Sequence, residues 1–152
     1  MSRPKFRCAA DWLKGTHMKL VIAEKPSVGN SIARMIGADR QRGDGFTSGN
    51  GYIVSWCFGH LVALSSPEEY DKRYAKPWKL SNLPIIPEEF RWTVAESTAP
   101  QFEKLKALME RPDVDEIICA TDAGREGECV FRYVYYQAGC TKPFKRLWIS
   151  SM

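Results

Sequence analysis

Ile117-Ile118-Cys119-Ala120-Thr121-Asp122-Ala123-Gly124-Arg125-Glu126-Gly127-Glu128 runs from an apolar stretch, through a tight turn, into a cluster of charge. Such a run is expected where both faces of a strand are covered, so it reads as a core strand with Asp122 at its carboxyl end. Ala123-Gly124 makes the turn, and Arg125 to Ala138 reads as a helix in which Val130, Phe131, Val134 and Tyr135 line one face and Gly139 supplies the stop. Upstream, Lys19-Leu20-Val21-Ile22-Ala23 repeats the pattern and ends at Glu24-Lys25-Pro26-Ser27. There Pro26 cannot extend a central strand and Ser27 suits a helix N-cap. Val28, Ile32, Met35 and Ile36 then recur at helical spacing as far as Gly37. Strands separated by helices imply right-handed crossovers and a mainly parallel central sheet flanked by helices, an α/β fold of Rossmann-like type. Its ligands belong beyond the carboxyl ends of the strands. Glu24, His60 and Asp122 all fall at or near that edge.

The remaining segments fit around these units. Arg42 to Gly51 reads as a turn between short extended pieces, and Tyr52-Ile53-Val54-Ser55-Trp56-Cys57-Phe58 as a strand closed by Gly59-His60. From Ser65 to Trp92 the chain holds Pro67, Pro77, Pro84 and Pro87, which predicts an ordered surface excursion anchored by Tyr70, Tyr74, Trp78 and Phe90. Ser97 to Glu110 is a helix with Phe102, Leu105, Leu108 and Met109 on one side, and Phe144 to Ile149 is a final strand. Residues 1–17, with Arg3, Lys5, Arg7 and Lys14 against Asp11, read as a leader. It is equally a basic arm or residues ahead of the true start, because Met18 opens the first strand. The chain ends at Ser150-Ser151-Met152 directly after a strand, and reads as cut short.

Composition sets the bounds. The 152 residues are 44% hydrophobic and 26% charged, which suits one domain, here 18–152. No apolar run approaches the roughly 20 residues of a membrane span, and the start lacks a secretory signal, so the expectation is a cytoplasmic protein with no membrane partner. Five cysteines, Cys8, Cys57, Cys119, Cys129 and Cys140, have neither zinc spacing nor the density of a disulfide scaffold, and read as reduced thiols, several of them buried. The formal charge of +4 is compatible with a polyanionic partner but does not establish one.

Asp122, Glu126 and Glu128 beside Arg125 form the densest chemical feature. Carboxylates suit Mg²⁺, a hard cation that prefers oxygen and keeps several waters while it meets phosphate. Acids at a helix start are also favoured by the helix dipole alone, by roughly 0.3 to 1 kcal/mol. Glu24, arriving from another strand at the same edge, shifts the reading toward a site. A carboxylate beside a lysine and near bound metal can exchange a proton with an attacking or departing oxygen, and Lys25 would hold phosphate.

Several stretches together resemble the Toprim domain of type IA DNA topoisomerases, of the topoisomerase III group. They are Leu20-Val21-Ile22-Ala23-Glu24-Lys25-Pro26-Ser27, Trp56-Cys57-Phe58-Gly59-His60-Leu61, Trp78-Lys79-Leu80, Leu83-Pro84-Ile85-Ile86-Pro87, Ala120 to Glu128, and Arg146-Leu147-Trp148-Ile149-Ser150-Ser151. The likeness spans Met18 to Met152. It implies the Toprim fold and a role in cleaving and religating one DNA strand. Glu24 matches the family's proton-transferring glutamate beside the scissile phosphate, and Lys25 its phosphate-binding neighbour. Asp122 and Glu126 match the outer acids of an Asp-x-Asp-x-Glu metal motif, with Glu24 or Glu128 assisting, and Arg125 and Glu128 complete an Arg-Glu-Gly-Glu signature. His60 matches a histidine lining the DNA-facing cleft; a histidine hydrogen-bonded at a strand end is the other reading of the same residue. The implied cofactor is Mg²⁺. The implied partners are DNA, single-stranded, and the remaining topoisomerase domains, in a bacterial cytoplasmic setting, nucleoid-associated or encoded on a mobile element.

Two departures matter. The middle acid of the metal motif is Gly124, which removes one charged oxygen ligand. The family's nucleophilic tyrosine lies in a later domain, and none of Tyr52, Tyr70, Tyr74, Tyr133, Tyr135 and Tyr136 has its setting, so this chain alone is not expected to relax DNA. Tyr133, Tyr135 and Tyr136 read as packing residues. Phosphate contacts beyond Lys25, His60 and Arg125 could come from Arg34, Lys72, Arg73, Lys76 and Lys79, which read equally as a solvated face. The alternatives are a non-catalytic DNA- or protein-binding Toprim fragment and a primase- or nuclease-like Toprim enzyme.

Overall fold

In the computed structural model, which describes residues 17–148, the strand-to-helix units build one six-stranded sheet. Its strands are β1 (Met18–Ala23), β2 (Gln41–Gly43), β3 (Phe46–Gly49), β4 (Tyr52–Trp56), β7 (Val114–Ala120) and β8 (Phe144–Arg146), in the order β2-β3-β4-β1-β7-β8. A smaller antiparallel pair, β5 (Val62–Leu64) and β6 (Trp92–Val94), stands apart from it. The helices are α1 (Pro26–Ile36), α2 (Pro67–Tyr70), α3 (Ala99–Glu110) and α4 (Arg125–Gln137). Strands β4, β1, β7 and β8 run parallel, while β2 and β3 add an antiparallel hairpin at one edge. Residues 1–16 and 149–152, with most of the leader and the segment Ile149-Ser150-Ser151, lie outside the described residues.

Strand alternation divides the core in two. Leu20 and Ile22 of β1, Ile53 of β4 and Ile117 and Cys119 of β7 face α3 and α4, where Phe102, Leu105, Met109, Val130, Phe131 and Val134 close over them. Val21 and Val54 face the opposite way, toward Ala33, Ile32 and Ile36 of α1. Two covered faces explain why β1 and β7 read as unbroken apolar runs. Register then sets the site: Ala23 lies level with Trp56 on one side and Ala120 on the other, so the next residues of each strand emerge along one rim.

Some local expectations are corrected. The N-cap of α1 is Lys25, not Ser27. Pro26 takes the first helical position, where its missing N–H is not needed, and holds Lys25 in extended backbone. Gly37 ends α1 as read, at φ 71°. In the excursion, Trp78 and Phe90 are 52% and 65% exposed and anchor nothing in the core. That segment is held by polar bonds, two of them made by the expected aromatics: a Ser66–Glu69 capping box, Asn82 donating to the Arg73 carbonyl at 2.7 Å, the Arg91 amide donating to the Tyr70 hydroxyl at 2.7 Å, and Trp78 Nε1 donating to the Tyr74 carbonyl at 2.9 Å. Of the helix α4 tyrosines, Tyr135 is buried beside Phe131 and Phe144, Tyr133 packs on Trp92 at 4.0 Å, and Tyr136 is exposed. Cys57 and Cys119 are buried and Cys129 and Cys140 half-buried, all as free thiols. Among the described residues no helix is long and apolar enough to cross a membrane.

Candidate metal and phosphate site

The rim formed by the ends of β4, β1 and β7 gathers the residues singled out by sequence. Glu24, half-buried after β1, accepts a hydrogen bond through Oε2 from the Asp122 amide at 3.1 Å. The Asp122 side chain is exposed and makes no hydrogen bond among the described residues. On the loop after β4, the Cys57 amide donates to the Ala23 carbonyl at 2.8 Å, which leads His60 to the same edge. His60 Nε2 lies 2.6 Å from Glu126 Oε1 in the first turn of α4. Lys25 and Arg125 are exposed and enter no ion pair among the described residues. Buried beneath the rim, the Cys57 thiol is pushed up to about 12, by burial first and by the charge of Glu24 second, so it is no nucleophile at neutral pH.

Glu128 is placed differently from the other acids. Its Oε1 accepts from Arg132 Nε at 2.7 Å and its Oε2 from Arg146 Nε at 2.8 Å. The same Arg146 donates from one terminal nitrogen to the Thr121 carbonyl and from the other to the Asp122 carbonyl, each at 3.0 Å. Buried Thr121 in turn donates from Oγ1 to the Gly127 carbonyl at 2.7 Å. Gly127 packs so closely on Asp122 that a Cβ there would fall 2.3 Å from the Asp122 carbonyl oxygen. Sequence reading assigned no role to Thr121, Gly127 or Arg146. The glycine could have been found, since an isolated glycine in a helical pattern signals close backbone approach. Arg146 opens the family-like stretch Arg146 to Ser151, but its partners lie 18 to 25 residues upstream, so that stretch gives no sign of what it bonds.

The arginines hold the Glu128 carboxyl below the usual carboxylate range, Arg132 contributing most, against an opposing effect of burial. Asp113 beside Arg111 and Glu116 beside Lys145 and Lys19 shift the same way. A depressed folded-state value gives stability that is fully present above the unfolded value and is lost as pH falls through the folded one. Thermal midpoints are therefore expected to be level from neutral pH to about 5 and to fall steadily below the ordinary glutamate value of 4.5. Glu128→Gln is expected to flatten part of that acid slope; an unchanged slope would show that the Glu128 pairs contribute nothing.

The donor chemistry fits a hard cation. Glu24, Asp122 and Glu126 present carboxylate oxygens from two strand ends and one helix turn. Among the described residues, no three donors are close enough to hold an ion by themselves. Carboxylate oxygens as a class suit hard cations such as Mg²⁺, which prefer oxygen and keep several waters.

Positions 19–152 match the Toprim domain family. DNA topoisomerase 3 of Shouchella clausii is 51% identical over 134 residues, covering 88% of this chain and 18% of the relative. The enzymes of the same name from Bacillus anthracis and Bacillus licheniformis are 51% and 50% identical over 133 residues, with the same coverage. The chain thus spans under a fifth of the length of the curated relatives it matches.

Proposed function

The chain belongs to the Toprim domain family, and from that premise we propose that it is the catalytic Toprim module of a type IA DNA topoisomerase of the topoisomerase III kind. In this reading it assists cleavage and religation of single-stranded DNA in the bacterial cytoplasm. The observation that carries the reading is the Glu24–Asp122 contact: two acids 98 residues apart meet at the rim where this fold class binds ligands. Asp122, Glu126 and Glu24 would hold Mg²⁺ directly or through water, with Glu128, paired to Arg132 and Arg146, outside the ligand set. Bound there, the ion supplies positive charge against the phosphate oxygens.

Each side chain then has a task. Lys25 and Arg125 bind backbone phosphates, and His60 orients Glu126 at the cleft wall. A tyrosine from outside this chain attacks the scissile phosphorus, forming a 5′-phosphotyrosine as the bond to the 3′ oxygen breaks. Glu24, starting as a carboxylate, would relay the phenol proton, taking it as the tyrosine attacks and passing it to the departing 3′ oxygen, and would run the relay backwards when the 3′ hydroxyl attacks in religation. The exposed apolar side chains Trp78, Leu80, Leu83, Ile86 and Phe90 favour a second contact, with another topoisomerase domain.

Magnesium titration tests the metal part. At about 100 times its Kd the ion adds about 2.7 kcal/mol to stability, a rise of roughly 5–10 °C in unfolding midpoint for a domain of this size. A Cβ at Gly124 would meet no heavy atom within 4 Å, so Gly124→Asp brings no clash at that atom. The variant is expected to bind Mg²⁺ about tenfold more tightly, through the added charged ligand. Equal affinities would show that position 124 is not a ligand site. A wild-type midpoint indifferent to millimolar Mg²⁺ would remove the metal from the proposal.

A further inference from the structure

The end of β7 is fixed from several directions at once, and one side chain joins them. Asp122 has its amide taken by Glu24 and its backbone packed against Gly127. The ladder between β1 and β7 ends at Ala120, so the carbonyls of Thr121 and Asp122 lie past the strand pairing, where a backbone acceptor still needs a partner. Arg146 supplies both bonds, at 3.0 Å each, and a terminal nitrogen also reaches Thr121 Oγ1 at 3.4 Å. Its Nε bonds Glu128 at 2.8 Å. The side chain is 17% exposed and comes from β8, whose register sets Arg146 opposite Cys119. Among the described residues, only the carboxylate of Asp122 is left unbonded.

We propose that Arg146 is a positioning residue for the acidic rim: its guanidinium fork pins the Asp122 backbone so that the carboxylate projects at a fixed angle, and it keeps Glu128 bonded to arginine, outside the cation's ligand set. The metal half of this proposal rests on the reading under Proposed function; the backbone half does not. A rigid planar fork with several parallel donors can hold two successive carbonyls and a carboxylate together. An ammonium group is a point charge and cannot do so from one position. Lysine at 146 is therefore expected to preserve the charge and lose the function, which separates positioning from simple charge balance.

Two measurements on Arg146→Lys, Arg146→Gln and Glu128→Gln decide it. In amide hydrogen exchange without metal, both Arg146 variants are expected to exchange at least about tenfold faster at residues 121–127, with α1 amides unchanged, whereas Glu128→Gln stays near wild type there. In Mg²⁺ titration, Arg146→Lys is expected to lose 10- to 100-fold in affinity, the usual effect of removing a group that orients a metal ligand, and Glu128→Gln is expected to stay within about threefold of wild type. If Arg146→Lys matches wild type in exchange at 121–127, or loosens α1 equally, the positioning role is overturned. Normal Mg²⁺ affinity in Arg146→Lys overturns its metal half. Should wild type itself bind no Mg²⁺, the proposed function fails on that point and hydrogen exchange alone decides the role of Arg146.

Discussion

Gly127→Ala is expected to lower the unfolding midpoint by roughly 6–12 °C, corresponding to about 3 kcal/mol. The added Cβ would lie 2.3 Å from the Asp122 carbonyl oxygen, 2.8 Å from its nitrogen and 2.9 Å from its carbonyl carbon. All three are main-chain atoms, so no rotamer change relieves the overlap. Either α4 moves away from the end of β7 or the turn at Asp122 deforms. The first route strains the buried bond from Thr121 Oγ1 to the Gly127 carbonyl, and the second breaks the bonds that Glu24 and Arg146 make to Asp122. Both damage the rim, so the Mg²⁺-dependent rise in midpoint should shrink along with the midpoint itself. Gly124→Ser is the matched control. Its backbone is extended, its Cβ meets nothing within 4 Å, and serine is favoured at the N-cap position that Gly124 occupies. Its midpoint is expected to stay within about 2 °C of wild type. Thermal melting of the two variants side by side checks the contrast, and a Gly127→Ala midpoint equal to that of Gly124→Ser would refute it.

What could be read in advance follows the range of the interactions. The strands Met18–Ala23 and Val114–Ala120 and the helix face Val130, Phe131, Val134 announce themselves because two covered sheet faces demand contiguous or periodic apolar residues. The helix stop at Gly37 is equally local, since φ 71° suits glycine. The N-cap of α1 falls at Lys25 and not at Ser27 because the backbone constraint of Pro26 outweighs the capping preference of serine. The excursion meets its expectation in part. Aromatic rings usually seek burial, but Trp78 and Phe90 are exposed, and Tyr70 and Trp78 hold the segment through their polar atoms, which no periodicity reports. At the rim, the acids stand out by composition and by their place after strands. The bond from Asp122 to Glu24 and the pairing of His60 with Glu126 depend on strand order, because β1 must lie between β4 and β7 to bring them together. Arg146 is the extreme case: it reaches the Thr121 and Asp122 carbonyls only because β8 pairs with β7 in the register that sets it opposite Cys119.

Glu24→Gln and Asp122→Asn should both impair DNA cleavage, and the way each responds to magnesium should tell them apart. Glutamine has the size of glutamate and keeps an oxygen to accept from the Asp122 amide, so the rim stays folded. It cannot give up or take back a proton as a carboxyl group does. If Glu24 handles the proton of the 3′ oxygen, the cleavage rate is expected to fall by 10²- to 10⁴-fold, and added Mg²⁺ should not restore it. Asparagine at 122 keeps the backbone bonds to Glu24 and Arg146 and loses one anionic ligand, so its defect lies in cation affinity and should diminish as Mg²⁺ rises. The measurement is Mg²⁺-dependent cleavage of a single-stranded oligonucleotide, with the remaining domains of a DNA topoisomerase 3 supplied in trans and thermal midpoints recorded for both variants. Cleavage by Glu24→Gln at the wild-type rate would take Glu24 out of the chemistry and reduce its contact with Asp122 to a structural bond. Cleavage by Asp122→Asn with an unaltered Mg²⁺ requirement would take Asp122 out of the ligand set, and with it the reason for Arg146 to hold that residue still.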